Sequence, residues 1–290
     1  MMPVVARTRL GLAAARRGLG SPVVLVPTMG ALHDGHRELL RRAREIASPH
    51  GSVVVSVFVN PLQFGAGEDL DRYPRTLGAD VLIAAGEGTD LVFAPSAAQM
   101  YPRPQLITVD PGSVGRILEG ESRAGHFSGV LTVVAKLLGL VRPDVAVFGE
   151  KDAQQLALVS RMAADLDLGV RIAEVPTVRD PDGLAISSRN RFLSPAERRT
   201  ALLLPAALRA GQEAAESGPA AVRKAAGEVL GTPADPPLRL NYLALVDPET
   251  FEEVGDDHAG PARLLVAARA GPTRLIDNTL LSLECHAADH

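Results

Sequence analysis

Tryptophan is absent from the 290-residue chain, and aromatic residues make up only 3% of it. A ring-rich core is therefore excluded, and the interior must be built from Val, Leu, Ile and Ala. Cysteine occurs once, at Cys285, so an internal disulfide and a cysteine-rich zinc site are excluded, which fits a reducing compartment. No apolar run approaches the roughly 18 residues of a membrane span. The stretch from Met1 to Gly20 lacks a continuous apolar segment of signal-peptide length. With Arg7, Arg9, Arg16 and Arg17 among small apolar residues, it reads as a surface helix or a start-site extension. A basic surplus is missing too. Lys and Arg number 30 against 34 Asp and Glu, and the net charge of -4 argues against general nucleic-acid binding. The chain also has no GxxxxGK[ST] and no GxGxxG after its first strand. The P-loop and dinucleotide fingerprints are thus excluded, and a histidine-based nucleotide site is the natural remaining option.

What is present is an ordinary globular composition, 46% apolar and 22% charged. Val23–Val26 is a short apolar run closed by Pro27, as expected of a buried parallel strand. Leu39, Leu40, Ala43, Ile46 and Ala47 then recur at helical spacing, and Ser52–Val59 is a second β-branched run. Together they read as a right-handed βαβ unit. The alternation continues through a strand at Asp90–Ala94 and a buried helix at Val130–Val141. It ends with a strand at Val145–Phe148, a helix at Asp152–Asp165 and a strand at Val170–Val175. The expected fold is α/β, a Rossmann-like doubly wound parallel sheet. After Pro176 the texture changes to a polar stretch, a helical region from Pro195 to about Ala215, and strands at Leu238–Val246 and Ala262–Ala268. Gly218, Pro219, Gly231, Pro233, Pro236 and Pro237 read as loop markers. The expected division is a Rossmann-like domain over 1–177 and a smaller α+β domain over 178–290.

Four segments carry chemistry. PTMGALHDGH, Pro27–His36, sits between a strand and a helix, where open α/β sheets bind ligands. Gly30 permits close backbone approach, and His33 and His36 face the anion-favouring end of the helix. FGEKDAQQL, Phe148–Leu156, again opens a helix after a strand. Lys151 supplies a compact positive charge, Asp152 a helix cap, and Gln154 and Gln155 paired amides for a polar substrate. DGLAISSRNRFLS, Asp182–Ser194, offers hydroxyls, amides and a guanidinium for phosphate at Ser187, Ser188 and Arg189. SVFVNPLQFG, Ser56–Gly65, places Asn60 and Gln63 just past a strand end. Each segment alone also reads as a capped helix, a linker or a turn.

In this order and spacing, with DLDRYPRT, EGESRAGHFSGVLTVV, RPDVAVFGEKD and ARAGPTRLIDN, the segments resemble the pantothenate synthetase (pantoate–β-alanine ligase) family, with its HxGH-type nucleotidyltransferase site. The resemblance implies ATP-dependent, AMP-forming condensation of pantoate with β-alanine through pantoyl adenylate, with Mg²⁺, a cytoplasmic location and a homodimer. The polar Ser187–Arg189 loop near the domain boundary suggests that the smaller, dimer-associated domain closes over the nucleotide as a lid. His36 would be the proton donor, with His33 and Lys151 beside it in catalysis. Met29, Gly30, Ala31, Leu32, His33, Asp34, Gly35 and His36 would line ATP. So would Gly149, Glu150, Lys151, Asp152, Val178, Ile186, Ser187, Ser188 and Arg189. Gln63 would contact pantoate and β-alanine, Gln155 would contact pantoate, and Asp80 would stand on the metal side. Arg123 and His126 are lesser candidates. The family is often more acidic around Leu77–Asp80, and Val81–Thr89 is short and Gly/Ala-rich for its helix. The alternatives are another small-molecule nucleotidyltransferase and a non-catalytic nucleotide-binding regulator or RNA-binding module. Cys285, His286 and His290 read as a frayed terminus rather than a metal site.

Overall fold

The computed structural model describes residues 1–65 and 70–284; Asp69 and the tail residues Cys285, His286 and His290 lie outside them. The chain divides into two compact units. One comprises Met1–Glu150 and Gln154–Pro176, the other Lys151–Ala153 and Thr177–His290.

The first unit holds β1 (Val4–Ala6), β2 (Val23–Thr28), β3 (Ser52–Val57), β4 (Leu91–Phe93), β5 (Val145–Gly149) and β6 (Arg171–Val175). They form one sheet in the order β1-β4-β3-β2-β5-β6, with every pairing parallel. Its helices are α1 (Arg9–Arg16), α2 (Asp34–Ala47), α3 (Leu77–Gly86), α4 (Ala97–Met100), α5 (Glu119–Ser122), α6 (His126–Val141) and α7 (Ala153–Asp165).

Alternation along the strands explains the layers. Val23, Leu25, Val54 and Phe93 enter one apolar cluster, with Leu12 of α1, Leu131 and Val134 of α6, and Leu156 and Val159 of α7. Val24, Val26, Val53, Val55 and Val92 enter the opposite cluster, with Leu40 and Ala43 of α2 and Ala84 of α3. Both faces are covered, which is why the strands read as continuous apolar runs. The helix after β2 therefore lies on one face and the helix after β5 on the other, although β2 and β5 are neighbours (Val24 opposite Val145). Strand order reverses between them, and such a reversal opens a ligand crevice beyond the carboxyl ends of the strands.

The expected elements are present within a few residues, with three differences. The N-terminal stretch supplies an edge strand, β1, as well as the expected helix. Helix α6 begins at His126, four residues before the expected start at Val130, because Gly125 in the left-handed region (φ 81°) turns the chain into it. Helix α3 forms in full despite Gly78 and Gly86.

In the second unit, α8 (Pro195–Ala201), α9 (Leu203–Glu213) and α10 (Pro219–Leu230) precede the antiparallel sheet of β7 (Leu238–Val246), β8 (Gly260–Ala270) and β9 (Thr273–Leu283), in the order β7-β8-β9. Leu204, Ala207 and Leu208 of α9 and Val222 and Ala226 of α10 share a core with Leu264, Val266 and Ala268 of β8. Of the loop markers read above, Gly218 (φ 86°) lies just outside α10, whereas Pro219 is instead its first residue. Proline at the first helical position gives up no hydrogen bond.

Leu25 is fully buried at the centre of β2. Leu25→Ala should lower unfolding stability by about 2–5 kcal/mol, measured as a lower urea midpoint with an unchanged slope.

Candidate active site

Strand β2 ends at Thr28, whose Oγ1 donates to the Ser56 carbonyl at 2.7 Å and accepts the Gly30 amide at 3.2 Å. The chain then makes two successive left-handed residues, Gly30 (φ 84°) and Ala31 (φ 52°). A Cβ on Gly30 would lie 2.9 Å from Val57 Cγ1 and 3.0 Å from Asp80 Oδ2, so this position demands glycine for both space and conformation. Asp80, only 2% exposed on α3, accepts the Leu32 amide at 2.9 Å and the Ala31 amide at 3.3 Å. Thr76 Oγ1 lies 3.3 Å from each of its oxygens.

This turn delivers His33 to the N-cap of α2 in extended conformation. The His33 amide donates to His36 Nδ1 at 3.2 Å, and the two rings lie 4.0 Å apart between centroids. With Nδ1 accepting, a neutral His36 carries its proton on Nε2, an assignment that follows from the hydrogen bond. The amides of Asp34 and Gly35 belong to the first turn of α2, and such a helix end favours an anion.

A second group surrounds Gln63. Asn60 and Gln63 are both buried. Asn60 Nδ2 donates to Gln63 Oε1 at 3.1 Å and to the Gly129 carbonyl at 3.0 Å, and Asn60 Oδ1 accepts from the Tyr101 hydroxyl at 2.8 Å. Burial pushes the Tyr101 phenol up to about 12, so it remains a donor at neutral pH. Gln63 Nε2 is turned toward Met29 Sδ at 3.1 Å. This brings Met29 and Gln63 together. His126 Nδ1 lies 2.9 Å from the Gln63 carbonyl, and Arg123 Nη1 lies 3.0 Å from His126 Nε2. Because guanidinium can only donate, Nε2 accepts and Nδ1 carries the proton to the carbonyl. Arg123 and His126 thus hold the backbone of the Gln63 turn.

Gln154 has a different role from the one expected. Its Oε1 accepts the Glu119 amide at 3.1 Å, and its Nε2 donates to the Val114 and Ile117 carbonyls at 2.7 and 3.0 Å. Both ends of the amide are used in bracing residues 114–119. Gln155, one position on and half-buried, makes no side-chain hydrogen bond among the described residues. Gly149 and Glu150 continue the carboxyl end of β5.

The second unit gathers its own set. Lys151 Nζ lies 3.7 Å from Asp152 Oδ1. Asn278 Nδ2 donates to the Lys151 carbonyl at 3.0 Å, while Arg263 Nη1 donates to Asn278 Oδ1 at 2.6 Å. Arg179 makes a bidentate pair with buried Asp277, at 2.6 and 3.0 Å. Val178 and Ile186 face each other through the Ile186 amide and the Val178 carbonyl, 2.9 Å apart, across a tight reverse turn. Arg198 closes that turn onto Asp180 and Asp182 and holds the Asp182 carboxyl below its ordinary range. Ser187 then caps a short 3-10 helix, Ser188–Phe192, through the Arg189 amide at 3.3 Å. The alternative reading of this segment, a plain linker, does not describe it, because Arg198 and the Ser187 cap brace it.

Tyr101, Thr76, Gly129, Asp277 and Asn278 were not among the expected site residues. For Gly129 the signal was a glycine inside an otherwise apolar helix. A Cβ there would run into the Leu62 carbonyl and come within 2.6 Å of the Gln63 nitrogen. Gly129→Ala should therefore displace the Gln63 turn and lower stability by about 1–3 kcal/mol, read in urea unfolding. The NMR signals of the Gln63 amide and the His126 ring should move with it. Unchanged signals would show that the turn does not depend on this approach.

Residues 3–280 match the family model for pantoate-beta-alanine ligase. Pantothenate synthetase of Thermobifida fusca (strain YX) is 60% identical over 289 residues, covering 97% of this chain and 96% of that protein. Pantothenate synthetase of Nocardioides sp. (strain ATCC BAA-499 / JS614) is 58% identical, covering 97% and 86%. Among solved structures, pantothenate synthetase from Thermus thermophilus aligns with a TM-score of 0.86 at 47% identity, covering 95% of this chain and 98% of that one. A pantoate-beta-alanine ligase from Francisella tularensis, complexed with beta-gamma ATP and beta-alanine, aligns with a TM-score of 0.77 at 33% identity, covering 96% and 97%. The histidine pair at the start of α2 and the match over nearly the whole chain agree: this chain belongs to the pantoate–β-alanine ligase family.

Proposed function

We infer that the chain is an ATP-dependent, AMP-forming ligase that joins pantoate to β-alanine to give pantothenate. The observation that carries the mechanism is the histidine pair at the start of α2, with His36 held by the His33 amide so that Nε2 is its donor. In the first half-reaction a pantoate carboxylate oxygen attacks the α-phosphorus of ATP. The bond to the bridging oxygen breaks, and pyrophosphate leaves with its electron pair. Negative charge grows on that leaving group, where His36 Nε2–H and the first-turn amides of α2 stabilise it, with His33 sharing the phosphates. In the second half-reaction the β-alanine amine attacks the acyl carbon, AMP leaves, and the amine loses a proton.

The remaining assignments support these steps. Gln63, its amide oriented by Asn60, is proposed for pantoate and β-alanine, and Gln155 for pantoate. Met29–His36, Gly149–Asp152, Val178 and Ile186–Arg189 are proposed for ATP, Lys151 contributing charge to its phosphates. Mg²⁺ is proposed to enter as the counter-ion of ATP. Among the described residues no three His, Cys, Asp or Glu side chains gather into a metal site. A homodimer is proposed, and the exposed neighbours Leu106 and Ile107 are apolar surface that a second copy could cover. A cytoplasmic location is proposed as well; no helix among the described residues is long and apolar enough to cross a membrane.

With ATP, pantoate and β-alanine the products should be AMP and pyrophosphate in equal amounts. Stoichiometric ADP would overturn the reading, and pantoate-independent exchange of pyrophosphate into ATP would favour another nucleotidyltransferase. His36→Ala should slow adenylate formation by about 10²–10³, the usual effect of losing one such donor. Supplied pantoyl adenylate should still react with β-alanine at close to the parent rate. Single-turnover assays of each half-reaction decide this, and equal losses in both would assign His36 a general positioning role.

A further inference from the structure

The Gly30–Leu32 turn presents consecutive amides on one concave side, a geometry that binds anions. Here the anion is internal. Asp80 fills the concavity, with Oδ1 on the Leu32 amide and Oδ2 on the Ala31 amide, and Thr76 donates to the same carboxylate. The carboxylate is all but excluded from solvent, and its oxygens point at N–H and O–H donors. A Mg²⁺ ion demands oxygen ligands at about 2.0–2.1 Å in near-octahedral order and keeps several waters. To reach this carboxylate it would have to displace the donors that hold the turn. The neighbouring residues of α3, Leu77, Gly78, Ala79, Val81, Leu82 and Ile83, bring no second carboxylate. The donor set therefore does not fit the metal-side role that the family resemblance implies for Asp80.

We propose that Asp80 is a positioning residue that clamps the Gly30–Leu32 turn and through it orients His33 and His36. The chain of contacts is short. Asp80 fixes the Leu32 amide, the next amide, His33, fixes His36 Nδ1, and that bond determines which ring nitrogen of His36 donates. The amides of Ala31 and Leu32 are already committed, so phosphate must be met by the imidazoles and by the amides from Asp34 onward. This deepens the ligase reading and rests on it.

Asp80→Asn keeps the shape and one acceptor but places an amide group against N–H donors. Hydrogen exchange on the substrate-free protein should show lost protection at the Ala31 and Leu32 amides. In pantoate-dependent ATP–pyrophosphate exchange, kcat should fall by about 10- to 100-fold, the scale of misplaced catalytic groups. The KM for ATP and the free Mg²⁺ giving half-maximal rate should stay within about two-fold, since uniform binding is not what is lost. A Mg²⁺ requirement raised about ten-fold, with the rate restored at high Mg²⁺, would make Asp80 a metal ligand and overturn the proposal. So would parental kcat together with parental amide protection. Thr76→Val, which keeps the carboxylate and removes one donor, covers the case in which Asp80→Asn fails to fold. It should give a smaller kcat loss at unchanged Mg²⁺ dependence, and tighter Mg²⁺ dependence would again overturn the clamp. If the parent protein shows no pantoate-dependent exchange, the ligase reading fails on its own, and the amide-protection comparison still decides the clamp.

Discussion

The side-by-side parallel pairing of β2 and β5, with their following helices on opposite faces of the sheet, is the constraint on which the first unit's site depends. Parallel strands joined by right-handed crossovers can build outward in only one direction at a time. Here β3 and β4 extend one way from β2, and β6 extends the other way from β5. The segments leaving the two carboxyl ends must then part. The opening falls where the Met29–His36 turn begins and where β5 ends at Gly149. His33 and His36, the histidines proposed for catalysis, stand at the start of α2, which is pinned to the sheet by Leu40, Ala43 and Ala47. Their placement is a consequence of core packing about one to three turns along the helix.

Polar groups buried around this opening convert a fold-level crevice into a defined arrangement. Asp80 satisfies amides that two left-handed residues would otherwise leave pointing inward, and Asn60 is bonded at both ends of its amide. Buried donors and acceptors are costly when unpaired, so each such bond narrows the positions its neighbours can take. His126 and Arg123 extend the same logic to the backbone of Gln63. A ligase that makes a labile mixed anhydride benefits from groups whose orientation is set before substrate arrives, because no reorganisation is then needed in the transition state. In the second unit, Arg179–Asp277 and Arg263–Asn278 brace the residues flanking Val178 and the Lys151 main chain in the same manner.

Legibility in the sequence followed burial. Val23–Val26 and the β-branched run from Ser52 are buried on both faces, so their apolar continuity reported the strands directly. Strand β1 was not legible because it is three residues long at the sheet edge, with Val4 and Val5 exposed. Strand β9 was hidden by Asp277 and Asn278, buried polar residues whose partners lie 98 and 127 positions away at Arg179 and Lys151. Gln154 and Gln155 read as a pair, yet adjacent helical positions point about 100° apart. One turned inward as a brace and the other stayed accessible. Asp80 read as a metal-side carboxylate because its true neighbours are main-chain amides 48 and 49 residues earlier, which no side-chain pattern records. Motif residues were legible through chemistry and spacing. Their supports were not, because support is a matter of long-range contact.

The central claim is that pantoate is activated by direct attack of its carboxylate on the α-phosphorus of ATP. Pantoate labelled with ¹⁸O in both carboxylate oxygens tests it in one turnover with ATP and β-alanine. The account predicts one labelled oxygen in AMP and the other in the amide of pantothenate, with unlabelled pyrophosphate. Label in inorganic phosphate or pyrophosphate, or label released to water with none in AMP, would contradict it.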